Sequence, residues 1–123
     1  MLSAIKKAIK SINKSEGSTD LEAEFCFSIN DPIFTGHFPG MPIIPAVYQV
    51  GLCKRVIEQE AQYKFAGIIK SRFSKMCIPG TTYNVKISMT KKENGDESVC
   101  SIYENAGKVL CSKIVLLFTD RTK

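Results

Sequence analysis

The chain is poor in several features that mark particular classes of protein. Among its 123 residues there is one histidine, and none of its five cysteines belongs to a C-x-x-C pair. Because zinc ligands usually come in closely spaced pairs, the sequence argues against a metal site. An odd number of cysteines without an export signal instead predicts reduced, mostly buried thiols and a cytoplasmic location.

Long apolar runs are absent as well. No stretch reaches the roughly 18–20 apolar residues that a membrane-spanning helix needs. Near the N-terminus three lysines interrupt the apolar residues, so the segment lacks the continuous core of a signal peptide. The apolar residues from Leu2 to Ile12 recur at helical spacing. This predicts a short basic amphipathic helix on the domain's own surface, with a membrane-surface helix as the alternative, and no stable membrane insertion.

Positive charge is in excess, because 17 basic side chains stand against 12 acidic ones and give a net charge of +5. Such a balance favours acidic partners. The sequence has neither an arginine-rich tract nor a basic motif interleaved with aromatic residues, which are typical of nucleic-acid-binding proteins. It therefore argues against nucleic acid as the partner.

The order of apolar patterns predicts one α+β domain over residues 20–123, preceded by a helix and linker over residues 1–19. Clean alternation over residues 21–29 predicts a half-buried strand, and a broad apolar face from Pro45 to about Gln62 predicts a buried helix. Four further strands are predicted at roughly 64–77, 82–92, 97–105 and 108–118. We therefore expect an antiparallel sheet of about five strands wrapped around one long central helix.

The lone histidine lies in the stretch FTGHFPGMPIIPAV, among glycines and prolines that restrict the backbone. Histidine is the side chain best suited to exchange protons near neutral pH. The helix predicted to start near Pro45 offers free N–H groups, which suit a carbonyl oxygen or an oxyanion. The residues alone leave two interpretations of His37, an acid–base catalyst or a structural histidine that caps a loop.

Two segments carry a resemblance to a known family. The segment NDPIFTGHFPGMPIIPAV closely resembles the signature of the β-hydroxyacyl-[acyl-carrier-protein] dehydratases, the FabZ/FabA group of hot-dog folds, and FAGIIKSRFSKMCIPGTTYNVKI is similar to their third-strand region. The resemblance covers about residues 20–120. It implies a hot-dog domain, a homodimer or trimer of dimers, and removal of water from 3-hydroxyacyl thioesters on acyl carrier protein. It implies no metal and no organic cofactor.

The resemblance also implies roles for particular residues. The family has a catalytic carboxylate fourteen residues after the histidine, where this chain has Gly51. The segment PAVYQV is similar to the PGVVQL of the aryl-polyene-type branch, which lacks that acid, and Gln49 is the candidate to assist there. The implied catalytic residues are His37 and Gln49. The implied substrate-binding residues are Gly36, Phe38, Pro45, Ala46, Val47 and Tyr48.

The basic residues of the third strand are the implied contact with the acidic carrier protein. Lys70 and Arg72 share one face of that strand, and Lys75 follows at a bend. An ordinary solvated strand face is the alternative. The missing carboxylate keeps two further functions open, a non-catalytic partner subunit that binds an acyl chain or carrier protein, and an acyl thioesterase.

Overall fold

The computed structural model describes residues 2–34 and 42–120 of the chain. Its helices are α1 (Leu2–Ala8) and α2 (Ala46–Ile57), and a short 3₁₀ turn spans Pro32–Phe34. Its strands are β1 (Ile9–Lys14), β2 (Leu21–Phe25), β3 (Tyr63–Phe73), β4 (Tyr83–Lys92), β5 (Gly95–Glu104) and β6 (Val109–Asp120). Neither helix within these ranges has the length and apolar composition needed to cross a membrane.

The six strands form one sheet in the order β1-β2-β4-β5-β6-β3, and all neighbouring pairs are antiparallel. β2 shows the predicted alternation, since Leu21, Ala23 and Phe25 are buried while the intervening Glu22 and Glu24 are exposed. The period of two places all apolar side chains of this strand on the face that covers the core. The predicted α+β arrangement is confirmed, with one strand more than expected.

The long helix α2 is the central element of the core. Pro45 precedes it in an extended conformation, with φ −61° and ψ 152°, which a proline adopts without strain at a helix start. Leu52, Cys53, Val56 and Ile57 are completely buried, and their spacing places them on one face of the helix. Burying a leucine or isoleucine side chain contributes about 1.5–3 kcal/mol relative to exposure.

The N-terminal segment differs from its prediction. The helix ends at Ala8, and Ile9–Lys14 continues as edge strand β1, which pairs with β2. The spacing of the apolar residues did not distinguish a helix from a strand here. The strand forms because β2 supplies backbone hydrogen-bond partners, which the local sequence pattern cannot reveal. The domain boundary predicted between residues 19 and 20 lies in the turn that joins β1 to β2. Elsewhere α2 ends at Ile57, before the predicted limit near Gln62, and β3 ends at Phe73.

The hairpin between β4 and β5 forms where the Asn-Gly pair predicted it. Lys92 pairs with Gly95, so that Glu93 and Asn94 form the turn itself. Gly95 has a φ of 137°, and a Cβ atom there would stand 2.6 Å from the carbonyl oxygen of Phe118. Because that neighbour is backbone rather than a movable side chain, this position requires glycine.

Candidate active site

The candidate site lies where the histidine-containing motif meets the start of α2. Gly36, His37 and Phe38 fall in residues 35–41, outside the described residues. The chain on either side is described, and Phe34 and Pro42 both line a cavity of about 210 Å³ beside the helix start. The described part of the site therefore consists of the segment before α2, the first turn of that helix and the chain that follows β3.

The segment before α2 is held at Ile44. Its N–H donates to the carbonyl of Cys77 at 2.7 Å, and its carbonyl accepts a hydrogen bond of 3.2 Å from Nε2 of Gln49. The other end of the Gln49 amide accepts a bond of 2.6 Å from Oγ of Ser112 on β6. Gln49 is 3% exposed, so this predicted catalytic residue uses both ends of its amide within the protein.

The first turn of α2 presents backbone donors. The carbonyl of Pro45 accepts from the N–H groups of Tyr48, at 3.0 Å, and Gln49, at 3.3 Å. The N–H groups of Ala46 and Val47 precede these first intrahelical bonds, as the geometry of a helix start requires. Both residues are exposed, and each lines a cavity beside the helix start. Two such donors together can stabilise developing negative charge on a carbonyl oxygen.

Two cavities flank this turn. One, of about 280 Å³, lies between the helix start and the chain after β3. It is lined by Ile43, Ile44, Pro45, Ala46, Gln49, Phe73, Ser74, Lys75 and Met76. The other is the 210 Å³ cavity beside Phe34 and Pro42, and it is also lined by Val47 and Tyr48. Pro45 lines both, so the structure brings the predicted substrate-binding residues Pro45, Ala46, Val47 and Tyr48 to the walls of two adjacent cavities.

The comparisons with known proteins agree with this geometry. The ApeI-like family model, described as ApeI dehydratase, matches residues 12–113. The chain belongs to this family. The resemblance of the two motif segments to the FabZ/FabA dehydratases is thereby confirmed.

Members of the wider dehydratase group are similar in sequence over most of the chain. The 3-hydroxyacyl-[acyl-carrier-protein] dehydratase FabZ of Shewanella pealeana is 33% identical over 101 residues, which cover 72% of this chain and 66% of that protein. The FabZ of Mannheimia succiniciproducens is 33% identical over 101 residues, which cover 74% of this chain and 67% of that protein. The match spans about two thirds of the length of these relatives.

A solved structure with the same fold is the dehydratase heterocomplex ApeI:P from Xenorhabdus doucetiae. It superposes with a TM-score of 0.71 at 17% identity, over 90% of this chain and 96% of that one. The present chain therefore has the predicted hot-dog fold, in which the antiparallel sheet curves around α2.

Gly51, where the resemblance to the FabZ/FabA dehydratases implies a carboxylate, lies beneath α1. A Cβ atom on residue 51 would stand 2.7 Å from Cδ1 of Ile5, whose side chain is buried in this contact. Leu2 and Ile5 line a cleft of about 330 Å³ together with Gly51 and the last turns of α2. The chain therefore has an apolar contact between helices at the position where that resemblance implies an acid.

Tyr48 packs as well as lining a cavity. Its ring meets the ring of Phe27 edge to face, with centroids 6.3 Å apart and an angle of 83° between the planes. Such aromatic pairs contribute about 0.5–1.5 kcal/mol beyond their buried area. The contact orients Tyr48 beside the helix start.

The predicted carrier-binding residues Lys70, Arg72 and Lys75 divide into two groups. Lys70 and Arg72 line a shallow cavity of about 300 Å³ between β3 and β6, together with Lys113. Lys75 is paired with Glu104, and that hydrogen bond raises the pKa of its ammonium group. Sequence reasoning missed Lys113, because only the pairing of Arg72 with Lys113 across the strands brings it to this surface.

The cysteines near the site are poor nucleophiles. Burial raises the pKa of the Cys77 thiol to about 12, with the neighbouring Cys111 as a further cause. A hydrogen bond to Cys100 and burial raise the pKa of the Cys53 thiol as well. Because only thiolates attack readily, these side chains remain protonated and inert at neutral pH.

Proposed function

We propose that this protein removes water from 3-hydroxyacyl thioesters on acyl carrier protein and yields trans-2-enoyl thioesters. The observation that carries the proposal is the first turn of α2, where Ala46 and Val47 offer N–H groups between two cavities. That turn directly follows the motif with His37. Membership of the ApeI-like dehydratase family and the names of the FabZ relatives support the same reaction.

In the proposed mechanism, His37 is the proton carrier. Its neutral imidazole takes the proton from C2, and the electron pair moves toward the thioester carbonyl, whose oxygen accepts from the N–H groups of Ala46 and Val47. The resulting enolate expels the 3-hydroxyl group, which leaves as water after the imidazolium returns the proton. A positioned acid–base group accelerates such a step by about 10²–10⁴-fold. No carboxylate at residue 51 shares this work, so one histidine serves as both base and acid.

The substrate-binding part of the proposal uses the walls of the two cavities. Gly36 and Phe38 flank the histidine in sequence, and the four described residues 45–48 surround the helix start. The cavity beyond Ala46 is lined by Ile43, Phe73 and Met76 among others, so its wall suits an acyl chain. We therefore place the thioester at the helix start and the acyl chain along these apolar side chains.

The proposed partners are an acidic carrier protein and a second copy of this chain. Lys70, Arg72 and Lys113 form the basic surface that meets the carrier. Lys75 contributes less, because Glu104 neutralises it. Ile68 and Ile69 are exposed on β3, one of the two edge strands of the described sheet, which suits pairing with the same strand of another copy in a homodimer or a trimer of dimers.

The test of the proposed function is incubation with a 3-hydroxyacyl carrier protein while the absorbance of the conjugated enoyl thioester is followed. Wild-type protein should generate this absorbance, and His37→Ala should remove nearly all of it while keeping the oligomeric state and melting temperature. Binding of the carrier without turnover would instead identify a non-catalytic partner subunit, which the glycine at position 51 favours as the second candidate. Release of free thiol would identify a thioesterase.

A further inference from the structure

One buried chain of hydrogen bonds runs from β6 to the segment before α2. The Ser112 hydroxyl donates to Oε1 of Gln49, and Nε2 of Gln49 donates to the carbonyl of Ile44. The N–H of Ile44 donates to the backbone carbonyl of Cys77. Ser112 is completely buried in the sheet, and nothing in its sequence context suggested a role at the site. These hydrogen bonds hold Ile44 next to the helix start, since only Pro45 separates Ile44 from Ala46.

We infer that Ser112 and Gln49 are positioning residues for the dehydration, because they hold Ile44 and thereby aim the N–H groups of Ala46 and Val47 at the thioester carbonyl. The inference rests on the proposed dehydratase activity and deepens it. Gln49 also lines the 280 Å³ cavity, but both ends of its amide are bound within the protein. Both side chains act through the backbone of residues 44–47.

The direction of the hydrogen bonds explains why Ser112 is needed. The carbonyl of Ile44 requires a donor, so the Nε2 end of the Gln49 amide must face it, and the Oε1 end must face β6. The Ser112 hydroxyl, which can donate as well as accept, supplies the donor that Oε1 then needs at that buried end. Without the hydroxyl, Oε1 is buried and unsatisfied, and the amide rotates away from Ile44 to recover a partner.

The surrounding prolines make Ile44 the principal anchor of this segment. Pro42 and Pro45 have no N–H group, so only Ile43 and Ile44 can donate a backbone hydrogen bond between them. The carbonyl of Pro45 in turn accepts the first two bonds of α2. A shift of Ile44 is therefore transmitted directly to the first turn, and misplacement by about 1 Å is enough to slow catalysis strongly.

The experiment compares Ser112→Ala with Ser98→Ala. Ser98 is also completely buried, lies on the neighbouring strand β5, and donates to the carbonyl of Leu116 at 3.4 Å. Each variant therefore loses one buried hydroxyl of the same sheet, but only Ser112 is linked to the helix start. Steady-state dehydration of a small 3-hydroxyacyl pantetheine thioester is measured for both, together with melting temperature.

For Ser112→Ala we expect kcat to fall about 10-fold with KM within about 2-fold, since the lost alignment acts mainly in the transition state. This decrease is smaller than the loss in kcat of about 10²–10³-fold that follows removal of an oxyanion-hole donor itself. Ser98→Ala should lower the melting temperature to a similar extent and keep kcat within about 2-fold. The double variant Gln49→Met/Ser112→Ala should be no slower than Gln49→Met, because both residues act through the same carbonyl.

A spectroscopic measurement separates positioning from general loosening. A bound conjugated enoyl thioester should absorb at longer wavelength than the free one, because hydrogen bonds to its carbonyl polarise the conjugated system. Ser112→Ala should reduce this shift, and Ser98→Ala should retain it. Equal kcat and equal spectral shift in the two variants would overturn the inference while leaving the dehydratase activity in place. Failure of the wild-type protein to form any enoyl thioester would overturn the proposed function and this inference with it.

Discussion

Cδ1 of Ile5 lies 2.7 Å from the position that a Cβ atom on Gly51 would occupy. α1 therefore packs on α2 at a point where residue 51 has no side chain. The relationship joins two features that are separate in the sequence, the N-terminal helix and the missing carboxylate. It also gives the glycine a structural role, although glycine in a helix interior costs about 0.5–1 kcal/mol relative to alanine.

The first prediction concerns the energy of this contact. Ile5→Val removes the one carbon atom that blocks the Cβ position, at a cost of about 0.5–1.5 kcal/mol. In that background Gly51→Ala should stabilise the protein by about 1 kcal/mol, because alanine favours the helix and fills the space left by the methyl group. In the wild-type background the clash should cancel this gain. Urea unfolding of all four proteins measures both effects, and equal effects of Gly51→Ala in the two backgrounds would contradict the contact.

The second prediction concerns the missing acid. Gly51→Glu should not increase the rate of dehydration, because Ile5 occupies the space of the Cβ atom and the cleft that Gly51 lines shares no residue with the two cavities at the helix start. We expect a loss of about 1–3 kcal/mol in the free energy of unfolding, as for other overpacked positions. Urea unfolding and the enoyl thioester assay check the two parts separately. A faster variant of unchanged stability would show that residue 51 faces the substrate.

The third prediction concerns the basic surface on β3 and β6. The double variant Lys70→Glu/Arg72→Glu should lower kcat/KM for carrier-bound substrate and spare the pantetheine substrate, because charge complementarity acts mainly on association. Raising the salt concentration should reproduce the effect in the wild-type protein. Lys64→Glu makes a similar change on the same strand outside this surface and should have little effect. An equal loss on both substrates would point to damage of the fold.

The fourth prediction follows from the raised pKa of Cys77. The folded protein holds this thiol proton up to about pH 12, whereas the unfolded chain releases it near the ordinary value of 9.0. Between these values the folded state binds more protons, so stability is fully present below pH 9 and falls as the pH rises toward 12. The slope is at most about 1.4 kcal/mol per pH unit for one thiol.

Urea unfolding at pH 8, 9 and 10 measures this slope. Cys77→Ala should flatten it, and Cys26→Ala, which removes a half-buried thiol, is the control for loss of a sulfur atom. Identical slopes for the two variants would rule out Cys77 as a source of the alkaline instability.

The fifth prediction concerns assembly through β3. Ile68→Glu should convert the proposed dimer into a monomer, since a charge replaces an apolar side chain at the proposed interface. Leu2→Glu is the matched control, because Leu2 on α1 is exposed to nearly the same extent, 54% against 55% for Ile68. Light scattering after size exclusion measures both. A dimeric Ile68→Glu variant would place the interface elsewhere.

Much of the fold follows from local patterns in the sequence. Alternation gave β2 its buried face, the Asn-Gly pair located the β4–β5 hairpin, and the broad apolar face after Pro45 predicted α2. Strand β1 was missed, because Ile9 and Ile12 fit a helical period as well as a strand and only pairing with β2 decides between them. Local pattern is informative where one element buries its own face, and uninformative where a distant strand supplies the hydrogen bonds.

In the candidate site, too, some features could be located from the sequence and others could not. The motif around the histidine and the start of α2 could be located from sequence, because their residue types carry the chemistry. Ser112, Lys113 and the contact of Ile5 with Gly51 could not, because each depends on strands or helices that are far apart along the chain. A serine or a lysine on a strand has no local signal that distinguishes a role at a site from an ordinary position in the sheet.

The hydrogen bonds that hold Ile44 also determine how the N–H donors at the helix start should respond to heat. The segment before α2 is joined to β6 and to the chain after β3 through the interior of the sheet, so its order depends on the same core that keeps the domain folded. The donors at the helix start should therefore not loosen ahead of the rest of the protein. The spectral shift of a bound enoyl thioester should therefore persist until global unfolding begins.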